Sequence, residues 1–484
     1  MRSFIVVFWL IMVVLLVRRN LPDQPQPPHE PFLASPFSLQ AQEEWMSIYH
    51  QQQKVGYLQR RLTPTTAGYQ WEEIWRMRMR VMDTTQTIHT EIRADTDHSF
   101  ALTRFEFRLL SSGLTFRARG EVKEQTLHGQ MTTGGETSPF SFPLQSPIYL
   151  PATTAMTLRN ASLRPEEERR FSIFNPLSMK AETVTITVIG PETLTIKGQQ
   201  IETTKVAERY GETTAYAWLD REGKVLKEEA SLGMVLLREN QRDALGGGWQ
   251  DSTPLDLVAS TAIPVQQTLP NPRRLTDLRL QLTTPVDSLQ FTFPPRQQQH
   301  DHFLTITQEK PSALTTYPIP QTASEFASDL APTLFLQSAH PRIVTQMQQI
   351  LGNERDALRA TRQLLNWTYT ELEKTPTVSL PTALEVLDSK RGDCNEHAVL
   401  FTALARAAGI PARVVAGVVY LDGAFYYHAW SEVWLGQWVA VDPTFQQMPA
   451  DATHVKFVEG GPEQHMALLK VIGQIKMEIV EYKE

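Results

Sequence analysis

Apolar and polar residues alternate along much of the first half of the chain and recur at helical spacing in much of the second. Alternating runs at 55–62 (VGYLQRRL), 99–110 (SFALTRFEFRLL), 114–122 (LTFRARGEV), 183–190 (TVTITVIG), 193–198 (TLTIKG), 213–219 (TTAYAWL) and 224–230 (KVLKEEA) predict strands with one packed and one wet face. Turn signals such as Gly190-Pro191 and Asp220-Arg221-Glu222-Gly223 separate them. One-sided strands joined by short turns suit a large antiparallel sheet or half-barrel. Gly246-Gly247-Gly248 reads as a flexible joint, and 277–284 and 304–308 as linking strands. Helical spacing then occupies 341–373, 382–389 and 394–408. Runs rich in β-branched and aromatic residues follow at 412–419, 424–435 and 438–442, and 474–482 alternates like a last strand.

The N-terminus departs from this pattern. Phe4 to Val17 is an unbroken apolar run of 14 residues between Arg2 and Arg18-Arg19. As a helix it spans about 21 Å, short of a hydrocarbon core of roughly 30 Å unless the arginines reach outward. A signal-peptide core and a short uncleaved anchor both fit, and the lack of a small-residue cleavage motif after the run favours the anchor. Residues 20–38 are too rich in proline for a helix or a central strand and read as a stiff tether. The expected organisation is an anchor at 1–19, a tether at 20–42, a β-rich domain at 43–245, a joint with linking strands at 246–312, a second domain at 313–460 and a C-terminal strand at 461–484.

Composition narrows the function classes. The 484 residues are 41% hydrophobic and 20% charged with a net charge of −7, as for globular domains, and no basic stripe points to nucleic acid. A single cysteine, Cys394, excludes a disulfide framework and a four-cysteine zinc site. The β-rich region offers no nucleophile, metal cluster or phosphate loop, so its expected role is a platform or a partner-binding surface.

Cys394 follows Asp393, a good helix N-cap with Glu396 three residues on, and Gly409 and Pro411 close the helix. As the first helical residue, Cys394 meets unpaired backbone N–H groups and the positive end of the helix dipole, which favour thiolate. A cysteine nucleophile needs a base and a group to orient it. His428 in the 424–435 strand and Asp442 at the end of 438–442 are the candidates. If Leu435, Gly436 and Gln437 form the loop, Trp434 faces Trp438, and Asp442 lies diagonal to His428 on one face, with backbones about 7 to 8 Å apart. A shorter Gly436-Gln437 turn would put the two on opposite faces. Tyr426 and Trp430 share the face of His428 and are candidate cleft walls, although aromatic residues in such strands are more often core. A zinc site of Cys394, His397, His428 and Asp442 is the competing and weaker reading. Arg406 and Arg413 flank the Gly-Ile-Pro turn and are expected to cap carbonyls or form local ion pairs.

The segments GDCNEH (392–397), ALARAAGIPARVVAG (403–417), HAWSEVW (428–434) and WVAVDPT (438–444) together resemble the bacterial transglutaminase-like superfamily over roughly 340–460. The resemblance implies an α+β, papain-like domain in which a helix bearing Cys394 packs on an antiparallel sheet bearing His428 and Asp442. It implies a Cys394-His428-Asp442 triad without metal or organic cofactor, acting through a thioester on a peptide or protein amide, with water or an amine as acceptor. The Cys394 N–H is expected in the oxyanion hole. A weaker resemblance in domain order is to exported bacterial proteins with a half-barrel ahead of such a domain. The apolar N-terminal run is itself the ground for an expected inner-membrane anchor with the body in the periplasm, where the β-rich region is expected to meet a cell-envelope partner. The alternative is a catalytically silent module that binds such a partner.

Overall fold

The computed structural model describes residues 40–484 except 82–83, 112–113, 158–163, 177–178, 211–212, 231–232, 251–253, 257–259, 284–290, 376–380 and 462–474. The expected anchor and nearly all of the tether lie outside the described residues. Among the described residues no helix is long and apolar enough to cross a membrane.

The first half is one 16-stranded sheet. Strand Gln42–His50 sits near its middle, paired antiparallel to Gln53–Pro64 on one side and to Met234–Glu239 on the other. From it the chain meanders outward to Glu136–Pro143, restarts at Ile148–Tyr149 on the far edge and meanders back. The sheet curls, because Phe105 and Phe142 on one arm reach Phe174 on the other, with ring centroids 4.6 and 6.3 Å apart. Its inner face is the larger hydrophobic core, with Trp71, Phe105, Phe107 and Phe174 fully buried. The expected large, mostly antiparallel sheet is thus present. The runs at 183–190 and 193–198 are one strand, Lys180–Ile196, with an irregularity at Gly190.

The expected joint at Gly246-Gly247-Gly248 is tied down. The Lys54 ammonium donates to the carbonyl of Gly246 at 2.9 Å, and Trp249 packs with Trp45, Tyr57 and Ala244. A lysine under the glycine turn and an aromatic cluster beyond it remove the freedom that the glycines alone suggest.

In the second half, helices Pro341–Leu351, Ala357–Glu371 and Ala383–Ser389 surround the helix Cys394–Ala407. That central helix buries nearly every side chain from Glu396 to Ala405 and packs on strands Ala412–Leu421 and Ala424–Trp434. Strands Trp438–Val441 and Val455–Glu459 flank this pair. The back of this sheet packs on a second, 4-stranded sheet of Gln297–His300, Phe303–Thr307, Asp277–Thr283 and the C-terminal Lys476–Lys483. The linking strands and the C-terminal strand therefore form one brace behind the sheet that packs on the Cys394 helix.

Candidate functional site

Local sequence builds the site in three steps. The first is the helix start. Asp393 accepts the Asn395 N–H at 3.0 Å, and Glu396 reaches back to accept the Asp393 N–H at 2.9 Å, which closes a capping box around Cys394. Gly392 permits this fold-back, since a Cβ there would lie 2.3 Å from Glu396 Cβ. The second step is the hairpin. Trp434 pairs with Trp438, so the loop is Leu435, Gly436 and Gln437, with Gly436 at φ +80° supplying the left-handed residue. That pairing brings His428 and Asp442 together, with His428 Nε2 2.8 Å from Asp442 Oδ2. The third step joins the two: the helix bearing Cys394 packs on the strand bearing His428, and the backbone N–H of Ala429, next in chain to His428, lies close enough to the Cys394 sulfur to favour its negative form.

Asp442 is fully buried. Its Oδ1 accepts the N–H groups of Thr444 and Phe445 at 2.7 and 3.1 Å. Its Oδ2 is shared by His428 and by a histidine that hairpin reasoning did not reach, His454, whose Nε2 is 2.9 Å away. Burial alone would raise the Asp442 carboxyl, but the two imidazoles hold it far below the usual carboxylate range. Burial pulls His428 below the ordinary histidine value against the pull of Asp442. The His428 ring lies parallel to Phe445 at 4.9 Å and to Trp430 at 6.1 Å, which fixes its plane.

The thiol departs from expectation. Half-buried Cys394 is pushed well above the ordinary range, by burial first and then by Asp393, with Glu396 and Asp442 acting in the same direction and the Ala429 N–H against it. The acids that cap the helix oppose the helix terminus that was expected to favour thiolate. Both shifts run the same way, towards the thiol at Cys394 and the neutral imidazole at His428.

The other expected residues fall as follows. Trp430 is fully buried in a cluster with Val415, Ala440 and Ala450 and backs the His428 ring; it has no open surface with which to wall a cleft. Tyr426 is half-buried opposite Val419. Its neighbour Tyr427 is the tyrosine on the cysteine side, where its hydroxyl donates to Asn395 Oδ1 at 2.8 Å. His397 is buried, with Nδ1 2.7 Å from the Asp393 carbonyl. Arg406 donates to the carbonyls of Ala412 and Ala331, and Arg413 pairs with Glu432 and Glu459, so both make the local contacts expected of them.

The donor atoms of His428, Asp442 and His454 lie within 4.8 Å of one another, a cluster that includes neither Cys394 nor His397. Both Nε2 atoms already meet the same carboxylate oxygen at hydrogen-bond distance. The cluster is therefore a carboxylate bridging two imidazoles. Sequence reasoning missed His454 because it follows a loop beyond the last hairpin strand, and its only signal is the polar Asp451-Ala452-Thr453-His454 ahead of an apolar strand.

Comparison with known proteins bears on the second half of the chain most directly. The profile of the transglutaminase-like superfamily (Transglut_core) matches residues 345–443. A protein-glutamine gamma-glutamyltransferase of Pseudomonas aeruginosa is 37% identical over 94 residues, which is 17% of this chain and 13% of that protein's length. Among solved structures, a candidate cysteine protease from Cytophaga hutchinsonii aligns over 43% of this chain and 86% of its own, at 18% identity and a TM-score of 0.29. A beta-barrel-like protein of unknown function from Brucella abortus aligns over 42% of this chain and 97% of its own, at 9% identity and a TM-score of 0.33. The chain carries a domain of the transglutaminase-like superfamily.

Proposed function

We propose that the protein is a thiol enzyme that transfers or hydrolyses the acyl group of a peptide or protein amide, with Cys394 as nucleophile, His428 as base and Asp442 as the group that orients it. The observation that carries this reading is the 2.8 Å contact of His428 Nε2 with Asp442 on the strand against which the Cys394 helix packs. With Nε2 committed to Asp442, Nδ1 is the nitrogen left to take the thiol proton. The thiolate attacks the amide carbonyl, the proton held on His428 passes to the departing amine, and water or a second amine resolves the thioester. As first residue of its helix, Cys394 has an N–H without an acceptor in that helix, suited to the oxyanion. The neutral resting pair suits a base that operates near neutral pH.

The reading places the enzyme in the cell envelope, with Phe4 to Val17 as an inner-membrane anchor and the 16-stranded sheet as a platform in the periplasm; support for this comes from the N-terminal sequence alone. The test is a glutamine-containing peptide offered with and without a primary amine to the wild type, Cys394→Ser and His428→Ala. Ammonia release alone means deamidation, amine incorporation means cross-linking and chain cleavage means proteolysis. Turnover that survives Cys394→Ser would overturn the proposal.

A further inference from the structure

His454 has no part in the acyl-transfer scheme, yet it is fully buried with both ring nitrogens engaged. Nε2 meets Asp442 Oδ2 at 2.9 Å. Nδ1 faces Asp451, 3.2 Å from its carbonyl oxygen and 3.4 Å from its carboxylate Oδ1. Both aspartates are needed as carboxylates. Asp442 Oδ1 already accepts two backbone N–H groups, and Asp451 accepts the Thr453 N–H at 2.8 Å on Oδ1 and Arg273 Nη1 at 2.9 Å on Oδ2. Every partner of the two His454 nitrogens is an acceptor, so the ring must bring a proton to each. Only the imidazolium does so. Trp430 and Phe445 stand nearly perpendicular to the ring, with centroids 5.2 and 6.2 Å away, and enclose it.

We propose that His454 is a positioning residue held as a permanent cation, which shares the Asp442 carboxylate with His428 and so weakens the hold of that carboxylate on a proton at His428. The inference rests on the assignment of Cys394 and His428 above and deepens it. A lone buried carboxylate would favour a charged His428, a ring already protonated and unable to act as base. Sharing the carboxylate with a second, fixed cation leaves His428 neutral and ready to accept the thiol proton. The charged groups facing the two histidines are Asp442, Asp451 and Arg273, the last reaching in from the Pro272–Arg274 turn of the brace. Those facing the thiol are Asp393, Glu396 and Asp442. Although burial opposes it, Asp451 and Asp442 push His454 above the ordinary histidine value, in the direction that the hydrogen bonds require.

The single cysteine makes the test direct. Alkylation of Cys394 by iodoacetamide is followed against pH in the full-length wild type, His454→Gln, His428→Ala and the double variant. Glutamine keeps an N–H for Asp442 and removes the charge. The expected result is alkylation near pH 7 faster by on the order of three- to tenfold in His454→Gln, since one pKa unit is a factor of ten. The acid side of the profile should also move to lower pH, and the gain should vanish in the double variant. A residue that only packs would give the opposite, slower alkylation from a loosened His428, and slower or unchanged alkylation overturns the proposal. If His428→Ala leaves the wild-type profile unchanged, the assignment of the base falls and this inference with it. If His428→Ala alters the profile while His454→Gln does not, the inference alone falls. Should the buried substitution prevent folding, nitrogen-15 resonances of the histidine rings in the wild type decide: His454 protonated on both nitrogens at about pH 8 supports the proposal, and a neutral His454 at about pH 7 overturns it.

Discussion

At Cys394 the helix terminus and the residues that cap it pull in opposite directions. The N–H groups of the first turn stabilise a negative sulfur, while Asp393, which accepts the Asn395 N–H, and Glu396, which accepts the Asp393 N–H, carry charges that repel it. Glu396 is 4% exposed, so water screens this repulsion poorly. Glu396→Gln keeps a side-chain oxygen for the Asp393 N–H and removes the charge. Alkylation of Cys394 near neutral pH should quicken by about threefold or more with little change in melting temperature, and a slower rate would show that the carboxylate acts through the cap alone. Asp442→Asn should act the other way. It removes the charge that stabilises an imidazolium at His428 and presents an amide to two imidazole N–H groups, and turnover should fall by two or more orders of magnitude. A variant with near-normal turnover would remove Asp442 from the proposed triad.

At the scale of elements, what the sequence made legible was whatever local rules govern. The capping residues around Cys394 and the Gly409 stop are dictated within a few positions, and the structure shows each where the residue pattern puts it. The last hairpin was open between two loop lengths, and the structure has the longer, 435–437, which the pairing of His428 with Asp442 requires. Strands Thr84–Thr96 and Thr126–Thr133 were not legible, because they carry few apolar residues and depend on neighbours for their pairing. Their turns are also disguised. Gln51-Gln52 and Glu124-Gln125 make tight turns at positive φ with none of the glycine or asparagine that marks such turns. His454 and Asp451 were hidden for another reason, since only the tertiary path brings the loop after Asp442 back onto it. The capping box offers a test at this scale. In Gly392→Ala the new methyl would overlap Glu396 Cβ and Cγ, both 2.3 Å away. The expected cost is about 1–3 kcal/mol in chemical denaturation, with slower alkylation of Cys394 as the cap is displaced. Unchanged stability and reactivity would mean that the box does not hold Cys394 in place.

Across the whole molecule, one short segment joins the two halves. Phe335 is buried in the core of the 16-stranded sheet while its carbonyl accepts the Ala383 N–H, and Leu336 belongs to the core around the Cys394 helix. Nearby, Thr133 of the sheet donates its hydroxyl to Glu385. Phe335→Ala should cost about 3–5 kcal/mol, and melting followed separately by tryptophan fluorescence and Cys394 accessibility should shift together. A shift in one probe alone would show two independent units. The inner side of the sheet adds a dependence on pH. Burial, with Glu228 nearby, raises the Glu208 carboxyl to about 7 against the Tyr210 hydroxyl and Arg60, whose guanidinium is already paired with Glu73 and Glu228. An unfolded glutamate titrates near about 4.3, so between that pH and about 7 the folded protein holds a proton that the unfolded chain has lost. Stability then falls as pH rises through this window, because the folded state binds more protons. Glu208→Gln removes that slope. Its melting temperature should drop less than that of the wild type between about pH 5 and pH 8, by on the order of a few degrees. Parallel curves for the two proteins would mean that Glu208 ionises in the folded sheet as easily as in the unfolded chain, and that Arg60, despite its two other partners, still neutralises it.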